Sequence, residues 1–248
     1  MKYLVLVLLL IATPCYAPSA YALNLSQSCV AFYKLDEDAA DKDVKDETGQ
    51  NSGVSVRNTN LYHSVGKVLG ALDFNGTTDV VDCQSDFVFT KPITFCAWIF
   101  PQGWGEDAKG TVATNARFNV RIVDTNETVG ISSNISLGGA GSANNAIVLN
   151  TWTFVAGTRT TTGIANIYVN GKLSGNPDQD SETPVNGVTN LFIGAGSAAT
   201  RAFDGLIDNL MIFDRVLTPI EITKLYNAGR GLNSLSTLDM EITHGIKS

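Results

Sequence analysis

Short β-prone runs separated by turn signals set the pattern of the chain. The hydrophobic spacing predicts strands over 29–35, 71–74, 79–83, 93–100, 111–113, 118–123, 129–132, 146–149, 151–158, 164–169, 191–193 and 206–213. Alternation is explicit in 151–158, where Trp152, Phe154 and Ala156 fall on one side and Thr151, Thr153 and Val155 on the other. Asn75-Gly76 and Asn170-Gly171 are pairs that reach positive φ cheaply and suit type I′ hairpins, and the second sits between two β-prone segments. One helix is predicted, late in the chain. Thr218-Pro219-Ile220-Glu221 has the capping-box spacing with Pro at the first helical position, Ile222 and Leu225 share a face beside Tyr226, and Gly229 ends the run. Many short strands and one helix predict an all-β antiparallel sandwich.

With 248 residues, 44% of them hydrophobic, the chain needs neither metal nor disulfide to hold a core. Lys plus Arg is 17 against Asp plus Glu 24, a net charge of −7 that argues against nucleic acid as a partner. The first residues read as a leader. Met1-Lys2 supplies a positive start, 3–12 an apolar run too short to span a bilayer, and Ala20-Tyr21-Ala22 a cleavage signal. The expected organisation is a signal peptide over 1–22, one domain over 23–232 and a polar tail over 233–248. No membrane span is expected in the mature chain, which would be secreted, periplasmic or held at the cell surface. Export gives meaning to Cys29, Cys83 and Cys96, which allow either one disulfide or three buried thiols.

Dinucleotide binding is excluded at Gly194-Ala195-Gly196, because a strand follows those glycines where the phosphate-binding motif needs a helix. Asp36-Glu37-Asp38, the densest acidic run, reads as a solvated loop. Among the tryptophans, Trp98 and Trp152 lie inside strand patterns and belong to a core, whereas Trp104 sits in a glycine-flanked loop. Trp104 is therefore the expected stacking platform for a sugar, with Asn115, Arg117, Asn144 and Asn145 in polar loops as candidate hydroxyl-recognising groups. Sequons stand at Asn24, Asn75, Asn126 and Asn134.

Seven segments in order carry a resemblance: AFYKLDE at 31–37, DETG at 46–49, ALDFNG at 71–76 together with DVV at 79–81, ITFCAWI at 93–99, NTWTFVA at 150–156, IYVNG at 167–171, and FDGLIDNLMIFDRVL at 203–217 running into TPIEI. Together they resemble the laminin-G-like and pentraxin-like domains of the concanavalin A-like lectin/glucanase superfamily. The resemblance implies a two-sheet jelly roll with loops at its rim. It also implies a structural calcium, for which Asp46, Asn75 and Asp208 are the positions that match. The glycosidases of that superfamily carry paired carboxylates as E-x-D-x-E or E-x-D-x-x-E, and its lyases R-x-E-x-R and Q-x-H. The chain has neither, so the expectation is a binding module, not an enzyme, with a glycan or a cell-surface protein as partner.

Overall fold

The computed structural model describes residues 25–85, 87, 92–115, 118–133, 139–179 and 189–229. The expected leader and tail lie outside them. A short helical turn, α1 (Leu25–Ser28), leads into sixteen strands: β1 (Cys29–Tyr33), β2 (Asp43–Val44), β3 (Gly53–Ser55), β4 (His63–Val65), β5 (Gly70–Asn75), β6 (Val81–Asp82), β7 (Ile93–Pro101), β8 (Thr111–Thr114), β9 (Phe118–Val123), β10 (Thr128–Ser133), β11 (Gly139–Gly141), β12 (Thr153–Arg159), β13 (Ile164–Val169), β14 (Lys172–Gln179), β15 (Phe192–Ile193) and β16 (Asp204–Phe213). Helix α2 (Pro219–Ala228) follows. Every pairing between these strands is antiparallel. The first sheet runs β14-β13-β12-β7-β16-β5-β4 with β1 also on β16, and the second β11-β10-β9-β8-β15-β6-β3-β2. The expected all-β sandwich with one C-terminal helix is the observed architecture. The expected strand at 146–149 is a loop, and β2, β3 and β4 arise where no strand was expected.

Alternation explains the second sheet, in which β9 buries Phe118, Val120 and Ile122 and turns Asn119, Arg121 and Val123 outward. Facing it, Phe95, Ala97, Ile99, Leu72 and Ile207 of the first sheet complete the core between the layers. The first sheet is apolar on its other side as well. Cys96, Trp98, Phe154, Tyr168, Met211 and Phe213 form a second cluster beneath Leu217, Ile222 and Leu225. Almost continuous burial along β7 and β16 is expected of a sheet covered on both faces. A register shift between Asp208 and Met211, with Asn209 at φ +50°, breaks the alternation of β16. Ile207, Leu210 and Ile212 accordingly all face the inner core. Simple alternation groups Asp208 with Leu210 and Ile212. The bulge instead leaves Asp208 opposite Trp98, on the outer side.

Helix α2 is held in place by its first turn. The amide of Glu221 donates to Thr218 Oγ1 (3.3 Å), and the amide of Thr218 donates to Glu221 Oε2 (2.7 Å), the reciprocal pair of a capping box. Arg215 donates to the same carboxylate at 2.6 Å and 3.0 Å. Thr223 Oγ1 donates to the Gly171 carbonyl (2.9 Å), tying the helix to the turn of the β13–β14 hairpin. Asn170 (φ +50°) and Gly171 (φ +76°) both occupy the left-handed region, as the Asn-Gly pair predicts. Gly229 ends α2 at φ −61°, without the left-handed cap expected of a terminal glycine. Its missing side chain matters for another reason, since a Cβ there would collide with the Trp98 indole nitrogen.

Thr218→Ala is expected to cost about 1 kcal/mol in a urea unfolding experiment, the usual loss for an N-cap side chain. Glu221→Ala should cost about 2 kcal/mol or more, because it removes the acceptor from both Arg215 and the Thr218 amide.

Candidate functional site

One rim of the sandwich gathers residues from three separate parts of the chain. Strand β5 ends at Asn75 directly opposite Asp204, where β16 begins. The Asn75 side chain closes the following turn by accepting hydrogen bonds from the amides of Thr77 (3.0 Å), Thr78 (2.8 Å) and Asp79 (3.2 Å). Asn75-Gly76 thus makes an Asx turn between strands of different sheets, not the expected type I′ hairpin. The segment after β7 crosses the same point, with the amides of Gln102 (2.9 Å) and Gly103 (3.3 Å) donating to the Asp204 carbonyl. A Cβ at position 103 would fall on the Asp204 carboxylate and oblige it to turn aside. The chain then passes through Trp104 to Glu106, whose amide donates to the Ala202 carbonyl (3.1 Å) and whose carboxylate accepts from the Arg201 amide.

These elements enclose a cavity of about 390 Å³ lined by Asn75, Gly76, Thr77, Trp104, Glu106 and Asp204. A second, of about 290 Å³, adjoins it through Asn75 and Asp204 and is lined on its far side by Arg57, Tyr62, Asp73 and Gln102. The two form one open groove. Trp104 is half-buried, one part packed against the core between the sheets and the rest facing the groove. Arg57 is held by Asp79 at 2.6 Å and lies 4.5 Å above the Tyr62 ring. Burial raises the Asp73 carboxyl above its ordinary range, as do the neighbouring charges of Asp204 and Asp79, while a hydrogen bond from Gln102 and the charge of Arg57 oppose the shift.

Of the residues singled out in the sequence, Trp104 and Asn75 meet in this groove. Asn115 is fully buried, its side-chain oxygen accepting from the Phe118 amide at 2.7 Å between β8 and β9, so it does not present its amide to a ligand. Asn144 and Asn145 are exposed in the loop after β11 and line neither cavity. Arg117 lies outside the described residues. Trp98 is a core residue, as expected, and Trp152 is half-buried against Phe100 with ring centroids 5.5 Å apart. Asp73, Gln102, Glu106 and Asp204 were not singled out. The one sequence signal for them was the Asp-Gly pair at Asp204, four residues ahead of the acid that was chosen.

The positions matched to a calcium site do not converge. The Asp46 carboxylate accepts from the amides of Phe32 (2.9 Å), Thr48 (3.0 Å) and Asn51 (3.0 Å) and from the Thr48 hydroxyl (2.5 Å), which fills its lone pairs from strand β1 and from its own loop. Asn75 is engaged by its Asx turn, and Asp208 is bonded elsewhere. The three share no partner, and no three His, Cys, Asp or Glu side chains among the described residues are grouped to hold a metal. This donor set does not fit one ion. Among the described residues, Cys29, Cys83 and Cys96 are buried and form no disulfide.

Asp208 has a different role. It is fully buried, with Oδ2 accepting from the Val68 amide (2.7 Å) in the turn between β4 and β5 and Oδ1 without a partner. Burial pushes its carboxyl up to about 8, against the amides of Val68 and Lys67, which favour the charged form. Its folded value is raised above the unfolded one. The stability it contributes is therefore fully present in acid and is lost as pH climbs from about 4 toward about 8. Asp208→Asn should abolish that slope. Thermal melts of the two proteins are expected to diverge steadily across this window, with the variant the more stable at the alkaline end, and to run parallel above it. A constant difference at all pH values would rule out the neutral acid.

Residues 75–223, more than half of the chain, match a family model described as the concanavalin A-like lectin/glucanases superfamily, of laminin-G type. No curated protein sequence matches. Among solved structures, domain 4 of AbnA, a GH43 extracellular arabinanase from Geobacillus stearothermophilus, in complex with arabinotriose, superposes with a TM-score of 0.61 at 20% identity, over 80% of this chain and 98% of that one. The binding domain of Paraclostridial Mosquitocidal Protein 1 gives 0.65 at 13% identity, over 82% of this chain and 53% of that one. Botulinum neurotoxin type C, whose cell entry depends on interaction with two ganglioside molecules, gives 0.61 at 14% identity, over 85% and 53%. The chain spans about half of each of these two toxin chains. At such identities the likeness is one of fold, and it agrees with the sheets described above and with the sequence match: the chain belongs to the concanavalin A-like lectin/glucanase superfamily.

Proposed function

We propose that this protein is an exported carbohydrate-binding module without catalytic activity, and that its glycan lies in the groove running from Trp104 past Asn75 and Asp204 to Asp73 and Tyr62. The observation that carries the reading is the half-buried Trp104 held beside Asn75, Thr77, Glu106 and Asp204 in an open cavity. A sugar presents C–H faces that stack on an aromatic ring and hydroxyls that donate to carboxylates, and this wall offers both in Trp104 and in Glu106 and Asp204. Because the indole is braced by the core, little side-chain freedom is lost on binding. The similar domains captured with arabinotriose or dependent on gangliosides support carbohydrate as the ligand class. Export rests on the leader pattern of residues 1–22.

A docking role is the second reading, favoured by Val56, Leu61, Val65 and Leu69, which are all exposed. Val65 lies on β4, at the edge of the first sheet. This segment offers apolar contact to a protein surface.

The test is a glycan array probed with the chain from Leu23 onward and with Trp104→Ala. Binding to a defined sugar class, weakened about tenfold or more in the variant, is the expected result for an aromatic anchor. Binding that is indifferent to Trp104 would move the site elsewhere, and no binding at all would leave the protein-docking reading in its place. Cleavage of the bound oligosaccharide would make Asp73 and Asp204 the acid and base of a hydrolase instead.

A further inference from the structure

The groove is lined by carboxylates that form no ion pair among the described residues. Asp204 stands where the two cavities meet, Glu106 borders one and Asp73 the other. Two basic side chains line the groove, and both face other acids. Arg57 is paired at 2.6 Å with Asp79, which is almost fully buried, and also donates to the Leu61 carbonyl (3.1 Å). His63 lies 3.8 Å from Asp38. No ion pair is formed by Asp73, Asp204 or Glu106 among the described residues. A ligand in contact with Trp104 therefore meets an excess of negative charge at Asp204 and Glu106, and the chain's net charge of −7 adds to it at longer range.

We propose that the groove selects glycans by charge: it takes neutral sugars, takes sugars bearing a free protonated amine more tightly, and rejects those bearing a carboxylate or sulfate. This rests on the glycan reading and deepens it. Three features together carry the inference. The cavity is open and has an aromatic wall, three carboxylates without an ion pair border it, and its one guanidinium is already engaged. Ammonium and hydroxyl groups are donors and match such a wall, whereas an anionic sugar would set its charge against Asp204 and Glu106 with no arginine free to receive it.

Two matched pairs test this by titration calorimetry: chitosan trisaccharide, which has free amines, against its N-acetylated counterpart, and lactose against sialyllactose. The amine-bearing sugar is expected to bind tighter than its neutral partner, with an advantage that shrinks as salt is raised. Sialyllactose should bind about tenfold or more weakly than lactose, as like-charge opposition demands. Glu106→Gln, at an exposed position, should narrow both gaps, and Glu106→Gln with Asp204→Asn should nearly close them, while Trp104→Ala weakens every sugar alike. Equal or tighter binding of sialyllactose, still abolished by Trp104→Ala, would overturn charge selection and leave the glycan site standing. Failure of all four sugars to bind would overturn both readings.

Discussion

The double burial of strand β16 is the constraint on which the rest of the molecule depends. From Gly205 to Phe213 every residue is buried, because one face of the strand closes the core against the second sheet and the other is roofed by α2 and the turn at 66–69. β16 pairs with β7 on one side and, on the other, with β5 at its start and β1 at its end. Its position therefore sets the register of three neighbours. Its first residue also fixes the groove, since the Asp204 carbonyl receives the segment that carries Trp104.

Within that strand, two aspartates four residues apart meet opposite fates. Asp204 lies at the open end, half-exposed among hydroxyl and amide groups, and serves the surface. Asp208 is enclosed on the outer side of the sheet under the backbone of Val68, where solvent cannot stabilise a charge. The side chain is the same in both cases. Depth along the strand, together with the bulge that follows, separates a group that lines the open groove from one that sits neutral within the fold.

Much of the fold was legible in the sequence. The alternation of β9 and β12, the capping box of α2 and the Asn-Gly turn at 170–171 each have a local cause, so neighbouring residues suffice to read them. The strands β2, β3 and β4 did not show, because two or three residues are too few to display a period and are held by partners far along the chain. The bulge at Asp208 is likewise invisible to a count of alternating positions. At the site, Trp104 and Asn75 stood out for their glycine-rich settings. Asp73, Gln102 and Glu106 carry no signal and Asp204 only its pairing with Gly205; they are ordinary polar residues brought together by the pairing of β5 with β16 and the loop that follows β7. Asn115 shows the converse: a polar loop residue whose amide closes a buried turn.

The three unbridged thiols have a consequence of their own. Cys83 lies in the core between the sheets, and Cys29 and Cys96 lie in the cluster beneath α2. Burial holds the thiols of Cys83 and Cys96 well above their ordinary range, so the reactive thiolate is scarce as well as hidden. Each layer of the structure thus carries its own internal clock. An alkylating reagent reaches Cys83 only when the sandwich parts, and reaches Cys96 only when the helix lifts from the sheet, so the order in which the two are modified records which face of the first sheet opens first.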